Sequence, residues 1–382
     1  MEMKQKAAKT LALVAILIAL SYLIPKCLSD GYSLSYQLLD RPSGSVEYKL
    51  NVVVPQSLYE YYREKDHKQV SVEDFARFVT PHALKPIADK LLEFYKNDEE
   101  NFANGVLMIV HQIPYTATKP AKYPVETLVE NSGDCDLLSY IAASIMKAGG
   151  LDTILLYYKD KTHMNIGVHL SNTPRDARTP AHYVIHNGVQ YYIAECTGEN
   201  LKDGWRVGEC PRDLKHEEAQ IITLENCEQW APGQVSASYK ALNSSTIALT
   251  ASSNFVLQGS SVTLSGQLSP NLQNKTVTIY FKIGSSPWTM LATVTTDSNG
   301  KFTYILNINE TGLYHIRANW SGDNDYVGAD GPTISITALS TFFITFLTII
   351  VILVCTSAIA FLMARQKHPE MEEAQVPEVS SL

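Results

Sequence analysis

The period of the apolar residues changes once along this chain, and that change limits the folds open to it. After Cys135, residues Leu138, Ile141, Ala142, Ile145 and Met146 recur at helical spacing as far as Gly149-Gly150. From Thr153 the period becomes two, predicting strands over 153–158, 164–170, 183–185 and 190–196. Asn187-Gly188 is a two-residue hairpin signal between the last two. Helices first and antiparallel strands second define an α+β plan. Upstream, residues 45–54 alternate as a strand ended by Pro55, and Ser57 reads as the N-cap of the helix LYEYYREK. Further helices are predicted over 85–95, with Pro86 in the first turn, and over 98–111, capped by Asp98 or Asn97. This domain is assigned to 31–236, with its core at about 100–210.

Beyond about Ile247 only strands follow, among them SVTLSGQL, TVTIYFKI and GLYHIRANW, separated by Gly, Asn, Ser and Pro. That spacing predicts an all-β, Ig-like sandwich over 245–337, without a cysteine pair across it. It carries no constellation of titratable groups, which suits a spacer or binding module.

Both ends suggest a membrane. Lys4, Lys6 and Lys9 precede the apolar run 11–25, so residues 1–28 read as a signal peptide or an N-terminal anchor. Residues 338–364 are long and apolar enough to span a bilayer, and Arg365, Lys367 and His368 follow them. The expected layout is a cell-membrane protein, single-pass or two-pass, with its ectodomain outside and residues 365–382 in the cytoplasm. The sequons at Asn243, Asn274, Asn309 and Asn319 are candidate glycosylation sites on that ectodomain. A net charge of -8 and no basic stripe argue against a nucleic-acid partner. The six cysteines are too few for a disulfide scaffold and their spacings match no zinc pattern, so no metal is implied. A Cys210–Cys227 disulfide stays open, and nothing points to an oligomeric state.

Chemistry concentrates at Asn131-Ser-Gly-Asp-Cys135. The turn cluster delivers Cys135 into the first turn of a helix, where free N–H groups and the helix dipole stabilise a thiolate. A nucleophile needs a base and the base an orienter. His163, His169, His182 and His186 are the candidate bases; Glu195, Asp160 and Glu199 are the candidate orienters. His163 with Glu195 one strand away would serve. The hairpin register also sets His182 opposite Ile193, on the Glu195 face, so His182 is a second candidate base.

The ordered stretches SLYEYY, QIPYT, YPVETLVENSGDCD, HMNIGVHL, YYIAECTG and GWRVGE, across about residues 45–210, resemble the transglutaminase-like superfamily. They are most similar to its archaeal and bacterial membrane-associated group. The resemblance implies a papain-like core in which Cys135 is the nucleophile, His163 the base and Glu195 the orienter, with no cofactor. The sequence departs from the group at Leu137, where an acidic residue is usual, and carries a polar loop at 171–180. Gln112 or Tyr115 could join the Cys135 N–H in stabilising an oxyanion, and Trp205 could line the cleft. The expected activity is cysteine-dependent amide hydrolysis or acyl transfer on an extracellular protein or peptide through a thioester. The competing expectation is a non-catalytic surface adhesion, structural or peptide-binding protein with the sandwich as stalk. A thiol redox role lacks a C-x-x-C partner.

Overall fold

A computed structural model describes residues 31–198 and 201–366. The expected signal or anchor at 1–28, Glu199 and residues 367–382 lie outside the described residues.

Strands β1 (Tyr32–Leu39) and β2 (Glu47–Val54) form an antiparallel ribbon. Helix α1 (Gln56–Arg63) starts straight after Pro55. Ser57 is therefore not its cap; it is buried in the first turn, and its N–H donates to Asp330 at 3.3 Å. Helix α2 (Pro81–Phe94) begins earlier than predicted because Pro81 occupies its first position, which leaves Pro86 inside the helix. Pro86 cannot donate to the His82 carbonyl, and that oxygen instead accepts from Gln234 Nε2 at 2.9 Å. Helix α3 (Glu99–Val110) is capped by Asp98, whose side chain accepts from the Asn101 N–H at 3.0 Å. Helix α4 (Pro124–Glu130) leads to α5 (Cys135–Ala148).

Helix α5 is buried all round from Leu137 to Met146, not only along its apolar stripe. It packs between α2, α3 and α4 on one side and a sheet on the other. The small residues on its polar side make this tolerable. Ser139 Oγ donates to Cys135 O at 2.6 Å, and Ser144 Oγ accepts from the Thr80 N–H at 2.8 Å.

The sheet beneath contains β3 (Thr153–Tyr158), β4 (His163–Val168), β5 (Tyr183–His186), β6 (Val189–Ala194) and β7 (Gln220–Thr223), all antiparallel, in the order β5-β6-β4-β3-β7. Asn187 and Gly188 form the β5–β6 turn, with φ of 50° and 79°. The segment after β6 supplies the edge strand β7. Further along the chain, β8 (Ser236–Ser238) pairs antiparallel with β2, in the other sheet. Cys210 and Cys227 are free thiols in two separate hydrophobic clusters, so they do not pair.

The remaining strands are β9 (Thr246–Ala251), β10 (Phe255–Leu257), β11 (Ser261–Ser269), β12 (Thr276–Ile283), β13 (Thr289–Thr295), β14 (Lys301–Asn307), β15 (Gly312–Gly322), β16 (Val327–Asp330) and β17 (Ile334–Leu339). One sheet runs β10-β17-β15-β12-β13 with β16 on β15, the other β14-β11-β9. Leu264, Ile279, Ile316 and Trp320 lie in the core between them. The two units meet through Arg317, which pairs with Glu60 and stands 4.0 Å from the Trp288 ring centroid. The Trp288 N–H adds a bond to Glu64 at 2.6 Å.

Of the four sequons, Asn319 is fully buried and its amide donates to Ala329 O and Asp330 Oδ1, so it does not present an acceptor. Its place in the middle of β15, facing the neighbouring domain, is the reason. Asn243, Asn274 and Asn309 are exposed. The apolar C-terminal run also starts later than predicted: Ala338 and Leu339 belong to β17, and helix α6 covers Thr341–Gln366. Among the described residues no helix is long and apolar enough to cross a membrane.

Candidate active site

Cys135 is the first residue of α5, and the turn before it is held from two sides. Gly133 bridges in parallel to Tyr115, accepting from the Thr116 N–H at 2.8 Å and donating to Pro114 O at 3.2 Å. A Cβ on Gly133 would sit 2.9 Å from Thr127 and 3.0 Å from Leu137, so only glycine lets the turn lie this close to α4 and α5. Asp134 Oδ2 accepts from the Thr118 N–H at 2.8 Å. The QIPYT corner is thus stitched by backbone to the cysteine turn.

His163 arrives from the other side of the cleft. Its strand follows a short 3-10 turn and Thr162, whose left-handed φ of 46° turns the chain back into the sheet. His163 is the first residue of β4, paired with Tyr158, and so stands at the turn end of the β3–β4 hairpin. Cys135 reaches that end of the sheet, with Sγ 3.8 Å from Thr162 O. Alternation places Asn165 on the His163 face, and the β4–β6 register (Ile166 opposite Ala194) carries Glu195 opposite Asn165. His163 Nε2 lies 3.0 Å from Glu195 Oε2, which leaves Nδ1 for the thiol.

Electrostatics agree with the geometry. Burial opposes a charge on His163, but hydrogen bonding to Cys135 and Glu195 and their negative charges outweigh it, pushing the imidazole up to about 10. Burial would raise Glu195, whereas the His163 contact and bonds from Thr197 hold it below its ordinary value. The two shifts have opposite signs, as an imidazolium–carboxylate pair requires. Tyr115 is 57% exposed at the mouth, and burial together with the nearby Cys135 thiol raises its phenol. Asp136 is raised to about 7 by burial and by its hydrogen bond to Asp134.

Cys135, His163, Tyr115 and Asp136 line a cleft of about 540 Å³ that also takes in His67, Phe75, Lys119 and Tyr157, with Glu195 buried behind His163. A larger cavity of about 690 Å³ lies between Asn97–Glu100 and the loop at 170–175. It holds none of these groups, and Arg175 pairs with its acids Asp98 and Glu100. The polar loop at 171–180 is therefore pinned to α3 rather than to the cleft.

The structure gathers Cys135, His163, Glu195 and Tyr115, and separates the other predicted residues from them. Gln112 turns away: its amide bonds both backbone groups of Gln37, at 2.9 and 2.8 Å, and Met108 O at 2.7 Å. Trp205 lines a small crevice with Asn104, Met108 and His111 on another side of the domain. His182 occupies the predicted register, since its carbonyl accepts from the Ile193 N–H at 3.0 Å. Its ring, however, is lowered by burial and by Lys215 and His216, and takes no part in the site.

Sequence reasoning missed the surroundings of Glu195. Asn165 Nδ2 donates to Oε2 at 3.1 Å, while the Thr197 N–H and Oγ1 donate to Oε1 at 2.9 and 2.5 Å. Buried His111 Nε2 meets Glu195 O at 3.0 Å, and its ring packs where a Cβ on Gly198 would lie, 2.8 Å away. Period-two alternation about His163 marks Asn165 in the sequence; nothing local marks His111.

Comparison with known proteins bears on the sandwich alone. Residues 249–338 match the family model of a bacterial Ig-like domain (group 3). No curated protein matches the chain. One similar solved chain comes from work on T cell specificity and activation by the bacterial superantigen toxic shock syndrome toxin-1. It is 16% identical, covers 24% of this chain and 98% of its own, and has a TM-score of 0.19, too low to carry an argument. The protein is thus a mixed α+β unit followed by an Ig-like domain.

Proposed function

We propose that this chain is a membrane-anchored, extracellular, cysteine-dependent acyl-transfer enzyme with a transglutaminase-like, papain-like core. The observation that carries the reading is the fully buried Glu195 carboxylate on one nitrogen of His163, with Cys135 at a helix N-terminus beside the ring, facing an open cleft. Cys135 attacks the carbonyl carbon of an amide as a thiolate, and its own N–H helps to hold the oxyanion. His163 passes the former thiol proton to the leaving amine, and a thioester remains on Cys135. Attack by water then gives a carboxylic acid; attack by an amine gives a new amide; either restores the thiol. Glu195 fixes the ring's tautomer and stabilises its charge.

The substrate class is an extracellular protein or peptide, which the open cleft and the anchored layout favour. The apolar run within α6, followed by Arg365 and Lys367, supports a membrane anchor with the preceding domains outside. The Ig-like domain, firmly docked through Arg317, serves as the spacer.

The test is labelling of the purified full-length chain by a thiol-directed electrophile near neutral pH, followed by peptide and amine libraries read by mass. Cys135→Ser should abolish labelling without unfolding the chain. Labelling that persists at Cys196 or Cys210, or labelling of Cys135 with no mass change in any library member, would favour a non-catalytic peptide-binding role.

A further inference from the structure

We infer that Asn165 and Thr197 are positioning residues that act through Glu195, fixing which carboxylate oxygen faces His163 and so keeping the ring charged. The inference rests on the proposed thiol chemistry only for its kinetic consequence. Glu195 is 0% exposed, and each oxygen has two donors: Thr197 N–H and Oγ1 on Oε1, Asn165 Nδ2 and His163 Nε2 on Oε2. A carboxylate accepts about four such bonds, so this one has no free lone pair and no rotational freedom. Asn165 is equally buried, and its Oδ1 has no hydrogen-bond partner among the described residues. Turning the amide over would set that oxygen against the carboxylate, so the donor orientation is dictated by charge. A buried acceptor left unpaired is costly, and here it accompanies an amide committed to Glu195 at 3.1 Å and to the neighbouring Tyr158 hydroxyl. Thr197 grips the same carboxylate from just beyond the end of β6, where His111 and Gly198 hold the backbone.

Removing one donor lets the carboxylate turn away from the ring. In Asn165→Leu, His163 should titrate at lower pH in NMR spectra of the chain, and Cys135 labelling at pH 7.5 should slow by about tenfold or more. Thr197→Val should behave alike, and Thr197→Ser, which keeps the hydroxyl, should restore the parent profile. The deciding measurement adds Asn165→Leu to Glu195→Gln. Expected is no further change in the His163 titration or the labelling profile, because the group through which Asn165 acts has lost its charge. An equal further loss in that background, or an unshifted His163 in Asn165→Leu, overturns the inference. If Asn165→Leu fails to fold, the Thr197 pair decides alone: equal titration in the Val and Ser variants overturns it. A parent Cys135 that resists labelling while the titration shifts as stated would instead remove the proposed function and leave the positioning role standing.

Discussion

Replacing Glu195 by glutamine tests the centre of the site, and its size can be worked from the contacts. Gln has one acceptor oxygen and one NH₂ in place of two acceptor oxygens. If the oxygen stays with Thr197, the NH₂ faces the donors of Asn165 and His163; if it turns, the NH₂ faces Thr197. Either way a buried donor pair loses its acceptor, at about 1–3 kcal/mol of stability. The larger effect is on charge. His163 is held at about 10 by Cys135 and Glu195 together, against burial. A charge-assisted hydrogen bond worth about 1.5–3 kcal/mol corresponds to roughly one to two pKa units, so the variant's imidazole should titrate roughly one to two units below the parent's. The sign for stability follows. A raised histidine contributes fully below its unfolded value of 6.5 and loses that contribution as pH rises through about 10. A lowered carboxylate contributes above its ordinary 4.5 and loses it as pH falls through its folded value. The parent pair is therefore strongest between those limits, and the variant's stability deficit should be largest there. The assay is NMR titration of the His163 Cε1 proton alongside denaturant melts at pH 5, 7 and 9. A His163 titration unchanged from the parent would refute the reasoning, because the shift would then not come from Glu195.

Other perturbations separate the site from its neighbours. His182→Gln and Trp205→Phe should leave Cys135 labelling within twofold of the parent (about 0.4 kcal/mol), since neither ring lines the cleft. Gln112→Ala should lower the denaturant midpoint, at about 1 kcal/mol for each lost backbone bond, without changing the labelling profile. Gly198→Ala should destabilise by roughly 1–3 kcal/mol and shift the His111 resonances, because its Cβ would enter the His111 ring. Arg317→Ala removes a buried partner of Glu60 and the face-on contact with Trp288; calorimetry should show the Ig-like domain melting separately from the α+β unit.

Much of this protein was legible along the chain because the signals are local. Period and turn chemistry located α5, the β5–β6 hairpin at Asn187-Gly188 and the Ig-like strands. Asp98 announced its helix, whereas Ser57 misled, because an N-cap preference cannot reveal that Pro55 starts the helix and that Ser57 faces another domain. Asn319 misled likewise, since a sequon reports three residues and not the strand that buries the first. The histidine question marks the boundary more sharply. His163 and His182 both sit on strands near Glu195, and alternation alone admits either. Only the packed structure separates them, because the first turn of α5 meets the turn end of the β3–β4 hairpin and not the edge strand β5. The donors around Glu195 belong to the same class. They come from three places in the chain, and what unites them is the register of two strands and the burial of one carboxylate, which no local pattern encodes.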